Sequence, residues 1–152
     1  MKKLFISCPM KGRTEENIRK SMEKMHRIAE IVFDQELEVL PSYIAQKPPQ
    51  GVKEAVWYLG ESIKLMAQAD YYIGIDYNVF FSGCLVENEV AKQYKIPKTD
   101  VHVMDLMPDV RDADDAPWQS VENRLAFLYG DCQLPRYGSA LTACQNSAKG
   151  EE

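Results

Sequence analysis

The sequence predicts an α/β fold: a three-layer, Rossmann-like or flavodoxin-like parallel sheet with helices on both faces. Three observations carry this. Short apolar runs rich in β-formers alternate with amphipathic stretches through the first hundred residues. The intervening helical stretches are long enough to serve as crossovers, which parallel strands require and right-handed chirality distributes over both faces. The chain has 152 residues, one domain's worth, and at that length about 68–70% of the unfolded surface is buried without help from staples.

Lys3-Leu4-Phe5-Ile6-Ser7 is the first strand, ending at Cys8-Pro9. Thr14 caps the following helix, with Glu15 and Glu16 in the first turn, where the helix dipole favours acids. Ile18, Met22, Met25, Ile28, Ala29, Val32 and Phe33 then recur at steps of three and four along one face. Leu37 to Leu40 is a second strand closed by Pro41, and residues 46–51 are a loop by composition. Val52, Ala55, Val56, Leu59, Ile63 and Met66 mark a second amphipathic helix. Asp70 to Asp76 is a third strand. A loop leads to Ser82-Gly83, with Ser82 as N-cap, and Cys84 to Tyr94 is a third helix. Val101 to Leu106 is a fourth strand. Residues 108–117 carry four aspartates and read as a solvated loop, and Trp118 to Tyr129 as one more helix. The domain therefore spans 1–130, and the polar, aperiodic 131–152 reads as a flexible tail.

Composition excludes several classes. At 45% hydrophobic and 27% charged residues, the chain is neither collagenous nor low-complexity nor disordered. No apolar run is long enough to span a membrane, and the one at the N-terminus stops at Cys8-Pro9, too short for a signal peptide. A cytoplasmic protein with no membrane partner is expected. Cys8, Cys84, Cys132 and Cys144 are widely spaced, and His26 and His102 sit near none of them in sequence, so neither a zinc site nor a disulfide scaffold is implied. Each thiol reads as a small buried hydrophobe. Residues 1–99 hold 14 basic and 13 acidic residues, and residues 100–152 hold 4 and 10. There is no basic face for nucleic acid, and a small-molecule substrate is expected.

In open parallel sheets, ligands bind outside the carboxyl ends of the strands, where the strand order reverses. Two loops qualify. After the first strand come Ser7, Cys8, Pro9, Met10, Lys11, Gly12 and Arg13, offering a hydroxyl and two cations before a helix N-terminus. This loop matches neither the P-loop nor the dinucleotide fingerprint, and no cofactor is expected; a plain turn with solvated charges is the other reading. After the third strand the chain runs from Asp76 to Gly83 and into a helix carrying Glu87. Gly83 permits close approach of a ligand. Near a helix start the dipole keeps Glu87 ionised, and an ionised, positioned carboxylate can attack an anomeric carbon to form a glycosyl ester. The other reading of Glu87 is an exposed acid in a favourable electrostatic position, and the same holds more strongly for Glu89, about 200° round the helix. Asp76, at the carboxyl end of its strand, is better placed for ligand contact than Asp70. His26 borders the apolar stripe of the first helix. Tyr43, Trp57, Tyr58, Tyr72 and Tyr77 include a possible stacking platform, or else pack the core and its rim.

Phe5-Ile6-Ser7-Cys8-Pro9-Met10 resembles the opening strand and loop of the nucleoside 2-deoxyribosyltransferase-like superfamily, in particular the DUF4406-type domains of phages and gut bacteria. Gly83-Cys84-Leu85-Val86-Glu87 with Ala91 resembles that family's Gly-x-x-x-Glu-x-x-x-Ala helix start, and Ala69-Asp70 before an aliphatic strand also fits. The resemblance covers residues 3–97. It implies a flavodoxin-like or Rossmann-like sheet, Glu87 as nucleophile, and a pocket lined by the Ser7–Met10 loop. It further implies cleavage of an N-glycosidic bond, with deoxyribose passed to another base or to water, in a homo-oligomer. The transferases carry aspartate where this chain has Ser62 and Phe81, and Tyr and Gly where it has Phe5 and Cys8. The expected function is N-glycosidic cleavage or deoxyribosyl transfer on a nucleoside or nucleotide through Glu87. The alternative is a non-catalytic nucleotide- or phosphoribosyl-binding protein of the same fold. The two are separated by whether a second carboxylate, such as Glu61 or Asp76, approaches Glu87.

Overall fold

Lys2–Ile6 (β1), Leu37–Val39 (β2), Tyr71–Ile75 (β3) and Lys98–Val101 (β4) are strands, and Glu15–Phe33 (α1), Glu54–Met66 (α2) and Ser82–Gln93 (α3) are the helices between them. The structure, a computed structural model, describes residues 1–10, 13–42, 44–76, 81–103 and 106. All four strands pair in parallel, in the order β2-β1-β3-β4. Leu4 sits between Val39 and Tyr71, Ile6 faces Ile73, and Ile75 faces Val101.

Side chains alternate across the sheet, as period two requires. Leu4, Ile6, Ile73, Ile75 and Val101 face one side, where Met25 and Ala29 of α1 cover them. Phe5 and Tyr72 face the other, against Met66 of α2 and Ala91 of α3. The chain goes from β1 through α1 to β2, then back past β1 through α2 to β3. Right-handed crossovers then place α1 on one face and α2 and α3 on the other. The expected three-layer α/β architecture is therefore present. The strand order reverses between β1 and β3, and the carboxyl ends of these two strands form the crevice where such sheets bind ligands.

The helix ends follow the sequence in part. Thr14 caps α1 as expected, its hydroxyl accepting from the Asn17 N–H at 3.2 Å. Asp34 closes it in the left-handed conformation (φ 52°), its N–H donating to the Glu30 carbonyl. His26 borders the buried stripe: its Nε2 lies 2.9 Å from the Leu37 carbonyl and 3.0 Å from Glu30 Oε1, which also accepts the Leu37 N–H. This clamps the start of β2.

Two expectations are corrected. Ser82 is the first residue of α3 rather than its cap; Phe81 precedes it in an extended conformation and supplies no side-chain bond. The fourth strand is Lys98–Val101, not Val101–Leu106. The Pro97 carbonyl accepts the Tyr72 N–H at 2.9 Å, so pairing begins immediately after the proline. Val103 and Leu106, whose hydrophobicity suggested the strand, instead join the core beneath α1. The expected helix at 118–129, the acidic loop at 108–117 and the tail at 131–152 lie outside the described residues, as do Lys11, Gly12, Tyr43 and the 77–80 segment. Among the described residues no helix is long and apolar enough to cross a membrane.

Gly74 has a packing reason. A Cβ there would stand 2.8 Å from the Tyr72 hydroxyl and 2.9 Å from its Cε1. Tyr72 is fully buried, so its ring has nowhere to retreat. Gly74→Ala is expected to destabilise by roughly 1–3 kcal/mol, the range for overpacking, read as a lower urea midpoint.

Candidate functional site

Alternation along β1 sends Leu4 and Ile6 toward α1, and Phe5 and Ser7 toward α3. Ser7 continues the ladder, its N–H donating to the Ile73 carbonyl at 2.9 Å, which fixes the side chain at the β1 terminus. Cys84, Glu87 and Ala91 form the buried row of α3, one turn apart. The first two of these come up beside Ser7. The Ser7 hydroxyl donates to Glu87 Oε1 at 2.9 Å, joining residues 80 apart in sequence.

The environment of Glu87 corrects the expectation of an exposed, dipole-stabilised carboxylate. Glu87 is only 8% exposed. Burial pushes its carboxyl up to about 7, against which the Ser7 hydroxyl works by favouring the charged form. Glu87 lies five residues beyond Ser82, in the second turn of α3, whereas dipole effects fall off within the first. Desolvation therefore wins. Among the described residues, burial and Ser7, and not Glu61 or Asp76, account for the shift. Glu61 instead pairs with Lys64 at 2.7 Å on α2. Asp76 accepts the Val103 N–H at 2.7 Å and lies 3.5 Å from His102 Nε2, tying down the chain after β4. Glu89 is exposed and accepts from Gln93 Nε2 at 2.7 Å.

The β1–α1 loop is held from within. Arg13 is buried rather than a solvated cation. Its Nη1 donates to the Pro9 carbonyl at 2.9 Å and meets Cys8 Sγ at 3.6 Å. Its Nη2 donates to Ser21 Oγ at 2.8 Å and to the Asn17 carbonyl at 3.3 Å. The anion-binding reading of this loop thus loses Arg13 to structural duty. Cys8 and Cys84 are buried, as expected of small hydrophobes. Burial and the neighbouring Glu87 push the Cys84 thiol far above the ordinary thiol range, so it is no nucleophile.

A cavity of about 620 Å³ opens between α1 and the ends of β1 and β2. Ile6, Met10, Ile18, Met22, Leu40 and Pro41 give it apolar walls, and Arg19, Glu23 and His26 stand among its polar lining. It meets the β1–α1 loop at Met10 and Arg13. Ser7 and Glu87 are not on its wall; they face the opposite side of the sheet. The predicted binding residues therefore divide. Ser7 and Glu87 are in contact, Met10 lines the cavity, and Cys8 and Pro9 are buried at the strand end. Gly83 is exposed with open space where a Cβ would stand. Asp76 is committed to the β4 end.

Two residues of this region escaped the sequence reading. Tyr72, weighed as a stacking platform, is fully buried with its ring parallel to Phe5 at 6.0 Å between centroids. The signal was the Tyr72-x-Gly74 spacing, which puts a ring and a vacant position on one strand face. Arg13 was legible in the spacing Arg13, Asn17, Ser21: the buried stripe of α1 turns polar in its first turns, where a buried cation needs partners. Among the described residues no group of three or more His, Cys, Asp or Glu could hold a metal ion. No family model, curated protein or solved structure matches the chain.

Proposed function

We propose that the protein cleaves or transfers the N-glycosidic bond of a nucleoside or nucleotide, with Glu87 as the nucleophile. The observation that carries the reading is a buried carboxylate at the β1/β3 switch point, held by one hydroxyl and shifted to about 7. Active sites gather such groups because a desolvated carboxylate is reactive when charged. In the reaction, a Glu87 oxygen attacks the anomeric carbon as the C–N bond breaks, and the base leaves with the bonding pair. Water or a second base then displaces Glu87 from the sugar. The resemblance at residues 5–10 and 83–91 supports the same reading. Incubation with a panel of nucleosides and nucleotides, read by chromatography for free base, tests it.

One observation favours the second reading, a nucleotide- or phosphoribosyl-binding protein without catalysis. Among the described residues no second carboxylate contributes to the Glu87 shift, and Ser62 and Phe81 stand where the resemblance places the transferases' acids. Binding of a panel member without release of base decides for it.

We propose also that the chain self-associates, through α2 and α3. In the structure α2 buries only Met66 fully, while Val56 is 63% exposed and Leu85 and Val86 of α3 are 40% and 38% exposed. Large apolar side chains left exposed on two neighbouring helices support a contact site there. Light scattering should give a multiple of 17.4 kDa; the monomer mass at micromolar concentration would overturn the proposal.

A further inference from the structure

Among the described residues, the fully buried hydroxyl of Tyr72 has no hydrogen-bond partner. An orphaned buried hydroxyl costs on the order of 1–3 kcal/mol, and phenylalanine would fill the same space without that cost. The fold nevertheless makes room for the oxygen: Gly74, two residues on along the same strand face, leaves the vacancy over which the hydroxyl end of the ring lies. The polar groups that act on this oxygen are those of the candidate site, Ser7, Glu87 and Cys84, with Asp100 of β4 beyond them. Lys98 Nζ lies 6.0 Å from the ring centroid.

A proton inventory decides what the hydroxyl is for. Ser7 has one proton and spends it on Glu87 Oε1, which leaves its oxygen lone pairs free to accept. Tyr72 has one proton and has not spent it. Ser7 lies near enough to favour the charged form of Tyr72, yet outside hydrogen-bond geometry with its hydroxyl. The backbone brings the two together: Ser7 donates its N–H to the Ile73 carbonyl, one residue before Gly74, over which the Tyr72 hydroxyl lies.

We propose that Tyr72 is a positioning residue for Glu87, its O–H donating to Ser7 Oγ when Ser7 donates to the charged carboxylate. The chain Tyr72 O–H to Ser7 O–H to Glu87 then holds the carboxylate from β3 as well as β1. Each donor polarises the next, so the Ser7 bond to the charged form strengthens. The assignment rests on Glu87 being the working carboxylate of the site.

The groups facing this chain are few enough to control. Among the described residues, Ser7 acts on Glu87; Ser7, Glu87, Cys84 and Asp100 act on Tyr72; and Glu87, Ser7, Cys8 and Arg13 act on Cys84. The test is carboxyl-carbon NMR on protein labelled at glutamate, with Glu87→Gln identifying the Glu87 resonance. In Tyr72→Phe the titration midpoint of Glu87 should rise by half a pH unit or more, about a threefold weaker hold on the charge. Well below pH 7, where Glu87 is protonated and the chain of donors is not made, the melting temperature should be no lower than the parent's, since only an orphan hydroxyl is lost there. In a Ser7→Ala background, Tyr72→Phe should add nothing. An unmoved or lowered midpoint overturns the proposal, and so does an equal shift with and without Ser7. The readout needs no substrate. A shifted midpoint in a protein that cleaves no nucleoside leaves the positioning role standing and defeats the glycosidic reading alone.

Discussion

Glu87→Gln is expected to lower any N-glycosidic turnover by several powers of ten, each tenfold being about 1.4 kcal/mol of barrier. Glutamine keeps the shape and an oxygen to accept from Ser7, but it has no charge with which to attack or to stabilise an oxocarbenium-like sugar. A covalent sugar adduct, seen by intact mass after trapping with a fluorinated nucleoside analogue, should form on the parent and not on the variant. Equal rates in the two proteins would show that Glu87 is not the nucleophile. The pH profile makes the expectation sharper. A nucleophile must be charged, and folded Glu87 loses its proton only near pH 7. The parent's kcat/KM should therefore climb about tenfold per unit below that pH and level off above it. A rate that falls with pH through the same range would make the protonated form the working one, and Glu87 an acid rather than a nucleophile.

The frame of this site was legible in the sequence because frames depend on periodicity. Alternating Leu4, Phe5, Ile6 and Ser7 fixed which side chains share a face, and the Thr14 cap and the i, i+4 stripe of α1 fixed the first crossover. That much places Ser7 and the start of α3 at the reversal of strand order; the Ser7–Glu87 hydrogen bond came only from the fold. What the sequence could not supply were properties that depend on depth. The burial of Glu87 comes from α3 lying against β3, with Cys84, Glu87 and Ala91 all turned inward; helix position alone suggested the opposite, a charged and exposed acid. Arg13 looked like a solvated cation because its burial, like that of Asn17 and Ser21, is set by how α1 lies on the sheet, although its partners Pro9, Asn17 and Ser21 all lie within eight residues of it. The fourth strand was displaced because Val103 and Leu106 are apolar for the sake of the α1-side core, not for pairing.

The two accounts of Glu87 differ in sign, and stability against pH separates them. If the α3 dipole governed, the carboxylate would be stabilised by about 0.3–1 kcal/mol, and Glu87→Gln would be slightly less stable at neutral pH. Burial predicts the reverse. The ordinary carboxyl value of 4.5 is raised to about 7 in the folded protein. Below pH 4.5 the group is protonated in both states and costs nothing. Between 4.5 and 7 the folded state binds the proton more tightly, so stability falls as pH rises. Above 7 the buried charge carries its full penalty, on the order of 3 kcal/mol at about 1.4 kcal/mol per pH unit. Glutamine at this position does not titrate. Urea unfolding at a series of pH values should therefore show the two proteins separating from pH 4.5 upward, with Glu87→Gln the more stable by a few kcal/mol at pH 8. Parallel curves, or a variant less stable at pH 8, would mean that the carboxylate is well solvated or well paired in solution. A gain in stability combined with a loss of turnover would identify Glu87 as a charge the fold tolerates at its own expense, which is how a reacting carboxylate behaves and a structural one does not.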